Sequence, residues 1–511
     1  MTYDVIMFTD VAAQYGHIKP LGAYRLASEL RAHGYSVKVI DYTGKIMLDN
    51  DLFRSLLDGL IGSNTLFLGW SSTFFGDYSS LDQEDHMTGT FAFKSLPYPV
   101  PEKSFVLWLK YINKKFPHVK NVYGGAYAVE KRSLINELDY VVVGLADKSV
   151  VDLARHLKNK TPIQYRPSLT HKWKIIDYDH LGASFDFKNC RTRYEATDHV
   201  APGDVLVLET SRGCMFKCKF CSYPLLGRKK TDPAYHKSHQ CLADELRYNW
   251  DRFGVKKYVI VDDTFNETTS KLESVLRAKD QAGIDLEFTS YIRIDLVARF
   301  PEQIALLRDL GLKGAFFGIE SFNDASAAAI GKGIPSDRVK ETLYKIKAEL
   351  GTNFNSTVSL IGGLPHETPE SLARDMEWVM SHDSPIDSYT LKALHITPND
   401  TWPSEFAINY KDYGYRLDPD GYWQNKIWDQ HQVQALANQY QTQGFVSGKL
   451  KIPNFSLFYM SAYGYDLADI QHVPLKDLDW NQFKKDFETA YSKYIQTILE
   501  FEHINTNWKQ S

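Results

Sequence analysis

Short apolar runs alternate with stretches of helical spacing through the first 158 residues. The runs are Val5–Phe8, Val37–Ile40, Leu66–Trp70, Val122–Tyr123 and Tyr140–Val143. Between them, Leu21-Ala23-Leu26-Ala27-Leu30 and Val150-Val151-Leu153-Ala154-Leu157 repeat near every third or fourth position. Strands alternating with helices predict βαβ units and a parallel, doubly wound, Rossmann-like sheet over residues 1–158. Sheets of this kind bind ligands at the carboxyl ends of their strands. The turns expected there carry small residues: Gly16, Gly69, Ser71-Ser72-Thr73, Gly124-Gly125 and Gly144. Such turns let a ligand come close to backbone N–H groups. Residues 77–101 break the pattern and read as an irregular insertion.

Residues 159–203 show little periodicity and read as a connector. From 204 to 397 the alternation resumes, with runs at Val205–Leu208, Tyr258–Val261, Phe288–Ile292, Ala315–Ile319, Ser356–Ile361 and Tyr389–Leu394. Helical patterns such as Leu272–Ala282, Ile304–Leu310 and Val339–Leu350 fill the gaps. Six βα units predict an open, partial (β/α)6 barrel, an incomplete relative of the eight-fold barrel, with its site at the carboxyl ends of the strands. Residues 398–511 lose the alternation. They form an extension rich in Tyr, Trp, Asn and Gln with one clear helix near Trp480–Phe501. The fold class is therefore α/β.

The formal charge of −4 on 511 residues is small and unblocked, so nucleic acid is not suggested as a partner. Five cysteines, three of them crowded together, make no disulfide framework and fit a reducing, cytoplasmic setting. The first eight residues read as a strand rather than a leader, and no stretch approaches the ~20 apolar residues of a membrane span.

The crowded cysteines carry the chemistry. Cys214, Cys218 and Cys221 are spaced C-x3-C-x2-C directly after the apolar run Val205–Leu208. Three thiolates hold three corners of a [4Fe–4S] cluster and leave the fourth iron open for chemistry. The competing reading is a zinc knuckle closed by Cys241, His236 or His239, and with it a zinc-stabilised, non-catalytic binding protein. The strand-then-loop context favours the cluster.

Cys214-Met215-Phe216-Lys217-Cys218-Lys219-Phe220-Cys221 resembles the signature of radical S-adenosylmethionine (radical SAM) enzymes. The later strand ends agree: Val261-Asp262-Asp263-Thr264-Phe265-Asn266, Tyr291-Ile292-Arg293-Ile294-Asp295, Phe317-Gly318-Ile319-Glu320-Ser321 and the stretch from Leu360 to Thr368. They resemble the subgroup with an N-terminal cobalamin-binding domain, as do Lys19-Pro20-Leu21-Gly22, Gly124-Gly125 and Val143-Gly144. The resemblance implies that one electron from the cluster cleaves S-adenosylmethionine to a 5′-deoxyadenosyl radical, which abstracts hydrogen from a substrate. An electron donor such as flavodoxin or ferredoxin is then a partner.

The same resemblance assigns roles. Cys214, Cys218 and Cys221 hold the cluster. Phe220 packs beside the adenine, with Tyr223 nearby. Asp262 or Asp263 accepts from the methionyl ammonium, Arg293 takes the methionyl carboxylate in a fork, and Glu320 accepts the ribose hydroxyls. Gly362 and Gly363 admit the adenine to the backbone. Plainer roles stand beside these: turn chemistry for the two aspartates, an ion pair with Asp295 for Arg293, and a buried partner for Glu320.

Cobalamin is expected without a lower histidine ligand. The loop from Asp10 to Pro20 lacks a D-x-H-x-x-G motif around His17, and the near match at Glu84–Gly89 follows the wrong strand. An inherited fold with an empty pocket is the alternative. The resemblance then implies a cobalamin-dependent methyltransferase acting on an unactivated carbon. Cobalamin-independent oxidation, rearrangement or ring formation is the rival. Methylthiotransfer is disfavoured, because no cysteine precedes Cys190.

Overall fold

The structure is a computed structural model. It describes residues 2–10, 18–75, 102–125, 128, 136–168, 171–177, 185–202, 204–221, 235–398, 403–446, 480–506 and 508. Two sheets organise them. The first contains β1 (Val5–Phe8), β2 (Val37–Ile40), β3 (Phe67–Ser71), β4 (Lys120–Gly124), β5 (Tyr140–Val142), β6 (Arg166–Pro167) and β7 (Lys174–Ile176). Its order is β2-β1-β3-β4-β5-β7-β6, parallel except for the edge pair β6–β7. The second runs in chain order through β8 (Val205–Leu208), β9 (Lys257–Ile260), β10 (Glu287–Ile292), β11 (Leu312–Glu320), β12 (Asn355–Gly362) and β13 (Ser388–Ala393), all parallel. β8 and β13 are its edges, so it is an open, six-stranded partial barrel.

Parallel strands covered on both faces favour apolar residues, which is why β1 and β8 read as uninterrupted apolar runs, while β10, β12 and β13 carry buried Ser and Thr among theirs. β1, β2 and β8 are buried throughout. Helices close the layers where the caps direct. Thr268 accepts from Lys271 N to start the helix Thr269–Ala282, and Thr368 forms a capping box with Ser371 ahead of Pro369.

Two expectations of chain organisation are corrected. Part of the 159–203 connector is sheet: β7 pairs in parallel with β5 and extends the first domain. A three-residue strand is too short to show a period. The 398–511 extension also divides. Tyr415, Trp423 and Val433 pack into the core shared with the barrel. The helix Trp480–Phe501 instead returns to the first sheet, where Tyr491, Tyr494, Ile495 and Ile498 join Ile6, Phe8, Ile40 and Leu56 in one apolar cluster. A buried ion pair, Lys38 to Glu502 at 2.9 Å, anchors that return, and Tyr3 donates to Glu502 at 2.7 Å. No helix among the described residues is long and apolar enough to cross a membrane.

Candidate functional site

The cysteine loop leaves the carboxyl end of β8 through Thr210 and Ser211, and its start is fixed by one buried carboxylate. Asp262, just after β9, accepts from Thr210 N at 2.7 Å and Ser211 N at 3.0 Å through Oδ1. Its Oδ2 takes the Thr210 hydroxyl, the Ser211 hydroxyl at 3.1 Å and Lys271 Nζ at 2.8 Å. These donors use the acceptor capacity of Asp262, so its role is to hold the loop rather than to meet a ligand ammonium. Asp263 stays half-buried on the same turn.

Beyond Gly213, whose φ of 69° turns the chain, the three cysteines lie half-buried. Cys221 N bonds to Cys218 O at 3.1 Å. Lys219 N reaches Ile330 O at 3.0 Å, and Phe406 N reaches Lys219 O at 2.8 Å. The loop is thus clasped by the segment after β11 and by the extension. Cys214 Sγ is 3.4 Å from Thr264 Oγ1, and Arg293 Nη1 donates to Cys218 Sγ at 3.2 Å. Phe220 is half-buried against the main core. Tyr223 lies outside the described residues.

Arg293 departs from its expected role. Its Nε and Nη2 fork onto Asp295 at 3.0 and 2.7 Å, the ion pair the plainer reading named. Burial works against the guanidinium charge, but the Asp295 bonds and charge outweigh it and hold the pKa above its ordinary value. The Asp295 carboxyl is correspondingly below its usual range despite burial, because Arg293 faces it.

Glu320 ends β11 at φ 70°, a left-handed conformation uncommon for a residue with a Cβ, where the β11–β12 register shifts. Burial pushes its carboxyl above the usual range, against Lys332 at 3.7 Å and Ser359 at 3.4 Å.

Gly362 and Gly363 are also corrected. Gly363 has φ 86°, and a Cβ there would lie 2.5 Å from the Trp423 ring; one on Gly362 would lie 2.8 Å from Val433. The close approach these glycines permit in the structure is to the extension. Tyr415 adds a bond to Gly363 O at 2.6 Å.

Next to them, Glu367 is buried, accepts from Gly363 N at 2.5 Å, and leaves Oε1 without a partner among the described residues. Burial pushes this carboxyl up to about 8, against the Gly363 and Leu364 N–H groups. The folded chain therefore binds this proton more tightly than the unfolded one, and stability falls as pH rises from 4.5 to about 8. Glu367→Gln should flatten that limb: thermal unfolding at pH 8.5 moves up relative to the parent, while at pH 4 the two coincide. Parallel pH profiles would refute the assignment.

The zinc reading fails on position. Cys241 is buried at the start of its helix, where its thiol donates to Cys190 O at 2.8 Å, and burial pushes the Cys190 thiol up to about 12. His236 pairs with Glu267 at 2.6 Å. Among the described residues, no three His, Cys, Asp or Glu side chains converge on a single-ion site. A cubane cluster spreads its thiolates over separate irons and does not ask them to converge on one.

A buried charge network joins the two sheets at the loop's entry. Asp147, opening the helix Asp147–Asn159 after β5, pairs with Arg25 at 2.9 Å and Arg212 at 2.6 Å. Arg212 also pairs with Glu209 at 2.8 Å. Lys19 makes a parallel bridge to Leu206 of β8. Nothing in the spacing of these residues announced the network, because its members lie far apart in sequence.

At the first sheet's strand ends, Asp41 N donates to the Tyr494 hydroxyl at 2.7 Å, and Asp41 pairs with Lys19 at 2.9 Å, so the returning helix covers the β1–β2 side. Gly124, Gly125 at φ 123° and Gly144 at φ 75° follow β4 and β5 on the other side. His17 and the Glu84–Gly89 segment lie outside the described residues.

Comparison with known proteins agrees with this layout. Residues 208–379 match the model of the Radical SAM superfamily. The chain is 27% identical over 186 residues to an uncharacterized methyltransferase of Pyrococcus horikoshii, covering 36% of this chain and 39% of that protein. It is 21% identical over 342 residues to an anaerobic magnesium-protoporphyrin IX monomethyl ester cyclase of a Synechocystis species, covering 64% of each. The chain thus spans less than two thirds of each of these curated relatives. Among solved structures, the radical S-adenosylmethionine methyltransferase TsrM of Kitasatospora setae aligns over 81% of this chain and 78% of its own, at TM-score 0.58 and 16% identity. The cobalamin-dependent S-adenosylmethionine radical enzyme OxsB aligns over 80% of this chain and 56% of its own, at TM-score 0.52 and 16% identity. At these identities the likeness is one of fold: a Rossmann-like sheet followed by a partial barrel.

Proposed function

Because residues 208–379 form a radical SAM domain, we propose that this enzyme is a cobalamin-dependent radical SAM methyltransferase acting on an unactivated carbon. When bound, the [4Fe–4S] cluster and S-adenosylmethionine of that domain supply a 5′-deoxyadenosyl radical, and cobalamin would supply the methyl group. The donor set suits the cluster. Three half-buried thiols sit on one clasped loop, with the Arg293 guanidinium against Cys218. On this reading Asp263 would meet the methionyl ammonium, Glu320 the ribose hydroxyls and Phe220 the adenine.

The observation that carries the cobalamin part is the Arg25–Asp147–Arg212–Glu209 network. It ties the carboxyl end of β5 to the chain two residues before Cys214. A cofactor held at the β4–β5 strand ends of the first sheet would then share one mouth with the cysteine loop. The methyltransferase relative and the fold of TsrM, solved with cobalamin and a [4Fe–4S] cluster, support the same reading. The longer alignment, to a cyclase, favours radical ring formation as the second reading.

Anaerobic reconstitution tests it. About four iron and four sulfide per chain are expected, with stoichiometric uptake of added cobalamin. An intact cluster with no cobalamin uptake would hand the case to ring formation or oxidation. Zinc without iron would end both.

A further inference from the structure

Arg293 is more tightly fixed than a ligand-binding arginine needs to be. Its backbone is held by Asn266, which accepts from Arg293 N at 2.8 Å and donates to Arg293 O at 3.0 Å. Asn266 is itself fully buried and donates to Gln303 at 2.9 Å. The Asp295 fork then sets the plane of the guanidinium, and the Phe216 ring covers it at 4.0 Å. Of the three N–H groups the fork leaves over, one on Nη1 points at Cys218 Sγ, 3.2 Å away. The Nε–Nη2 fork is thus taken by a carboxylate, and one N–H of the remaining Nη1–Nη2 edge is taken by a sulfur.

A charged donor against a ligating sulfur draws negative charge from it and stabilises the extra electron of a reduced cluster, which raises the reduction potential. Cys214 has no such donor in Thr264, whose hydroxyl is neutral and donates to Asp263 O at 2.8 Å. We propose that Arg293, positioned by Asp295 and Asn266, is a tuning residue that raises the cluster's reduction potential through Cys218 and does not bind S-adenosylmethionine. The proposal rests on the radical SAM reading above.

The test is an EPR-monitored redox titration of the full-length, reconstituted chain without S-adenosylmethionine, with affinity for S-adenosylmethionine measured separately by equilibrium dialysis. Arg293→Gln should make the cluster harder to reduce by about tenfold, which is about 59 mV for a one-electron couple. Its affinity for S-adenosylmethionine should be retained. Arg293→Lys keeps the charge without the fork and should recover part of the shift. A potential equal to the parent's in both variants overturns the proposal, and so does an unchanged potential with weakened S-adenosylmethionine binding. If the Gln variant assembles no cluster, the Lys variant decides, a lowered potential supporting the idea and a parental one ending it. A parent chain that assembles no iron–sulfur cluster would defeat the radical reading itself, and the parent's iron content tells that failure apart.

Discussion

Cys218→Ala is expected to abolish formation of 5′-deoxyadenosine and to lower the iron recovered after reconstitution. Losing an outer partner of a metal ligand costs ~10–100-fold, and losing the ligand should exceed that. The chain has no substitute thiol nearby. Cys241 is committed to Cys190 O, and burial drives the Cys190 thiol far from ionisation. The substitution also removes the sulfur that Arg293 Nη1 faces, while the Asp295 fork remains to keep the guanidinium paired. Folding should therefore survive, and circular dichroism separates loss of cluster from loss of fold. Parental iron content with parental turnover would show that Cys218 is not a cluster ligand.

Asp147→Ala should be the most damaging change away from the cysteines. Its carboxylate stands between two guanidinium groups, Arg25 and Arg212, with side-chain exposures of 3%, 3% and 10% respectively. Removing it leaves Arg25 and Arg212 buried side by side with, among the described residues, the carboxylates of Glu29 and Glu209 to answer them. Breaking a buried pair in this way costs about 3–5 kcal/mol. Because the network joins two sheets, the damage should appear in calorimetry as a first transition that separates from the second.

The acid limb gives a second readout. Burial alone would raise the Asp147 pKa, but Arg212, and then Arg25, hold it below the ordinary value. Its stabilisation is therefore complete above the ordinary Asp pKa of ~3.9 and is lost as pH falls through the lower folded value. The variant should lack that acid-sensitive limb. Unfolding curves identical to the parent's at neutral pH would refute the role.

What could be read from the chain alone follows from where information is local. All six barrel strands were visible as short apolar or mixed apolar and β-branched runs between helical patterns, and their ends shifted by only a few residues, as Tyr258–Val261 against Lys257–Ile260 shows. The cysteines were visible because their ligand spacing lies within eight residues. The failures are tertiary. Asp262 stands at the expected strand end, yet its partners Ser211 and Lys271 decide what it does, whereas the Arg293–Asp295 pair, two residues apart, was among the readings the sequence offered. Gly362 and Gly363 announced a close approach, but not that Trp423 and Val433 would make it. Asp147 and Arg212 lie 65 residues apart, and no periodicity connects them.

The returning helix also sets a schedule for biogenesis. The first domain leaves the ribosome early, but one of its two apolar faces is finished only by Tyr491, Tyr494, Ile495 and Ile498. At ~5–20 residues per second, that face waits tens of seconds for its cover. Over that interval Ile6, Phe8, Ile40 and Leu56 have their first-domain neighbours, Phe8 stacking on Trp70, but lack the cover of the returning helix. The nascent chain is thus a natural client for a chaperone that shields apolar patches during translation, and premature termination upstream of Trp480 would produce a sticky, aggregation-prone fragment rather than a trimmed enzyme.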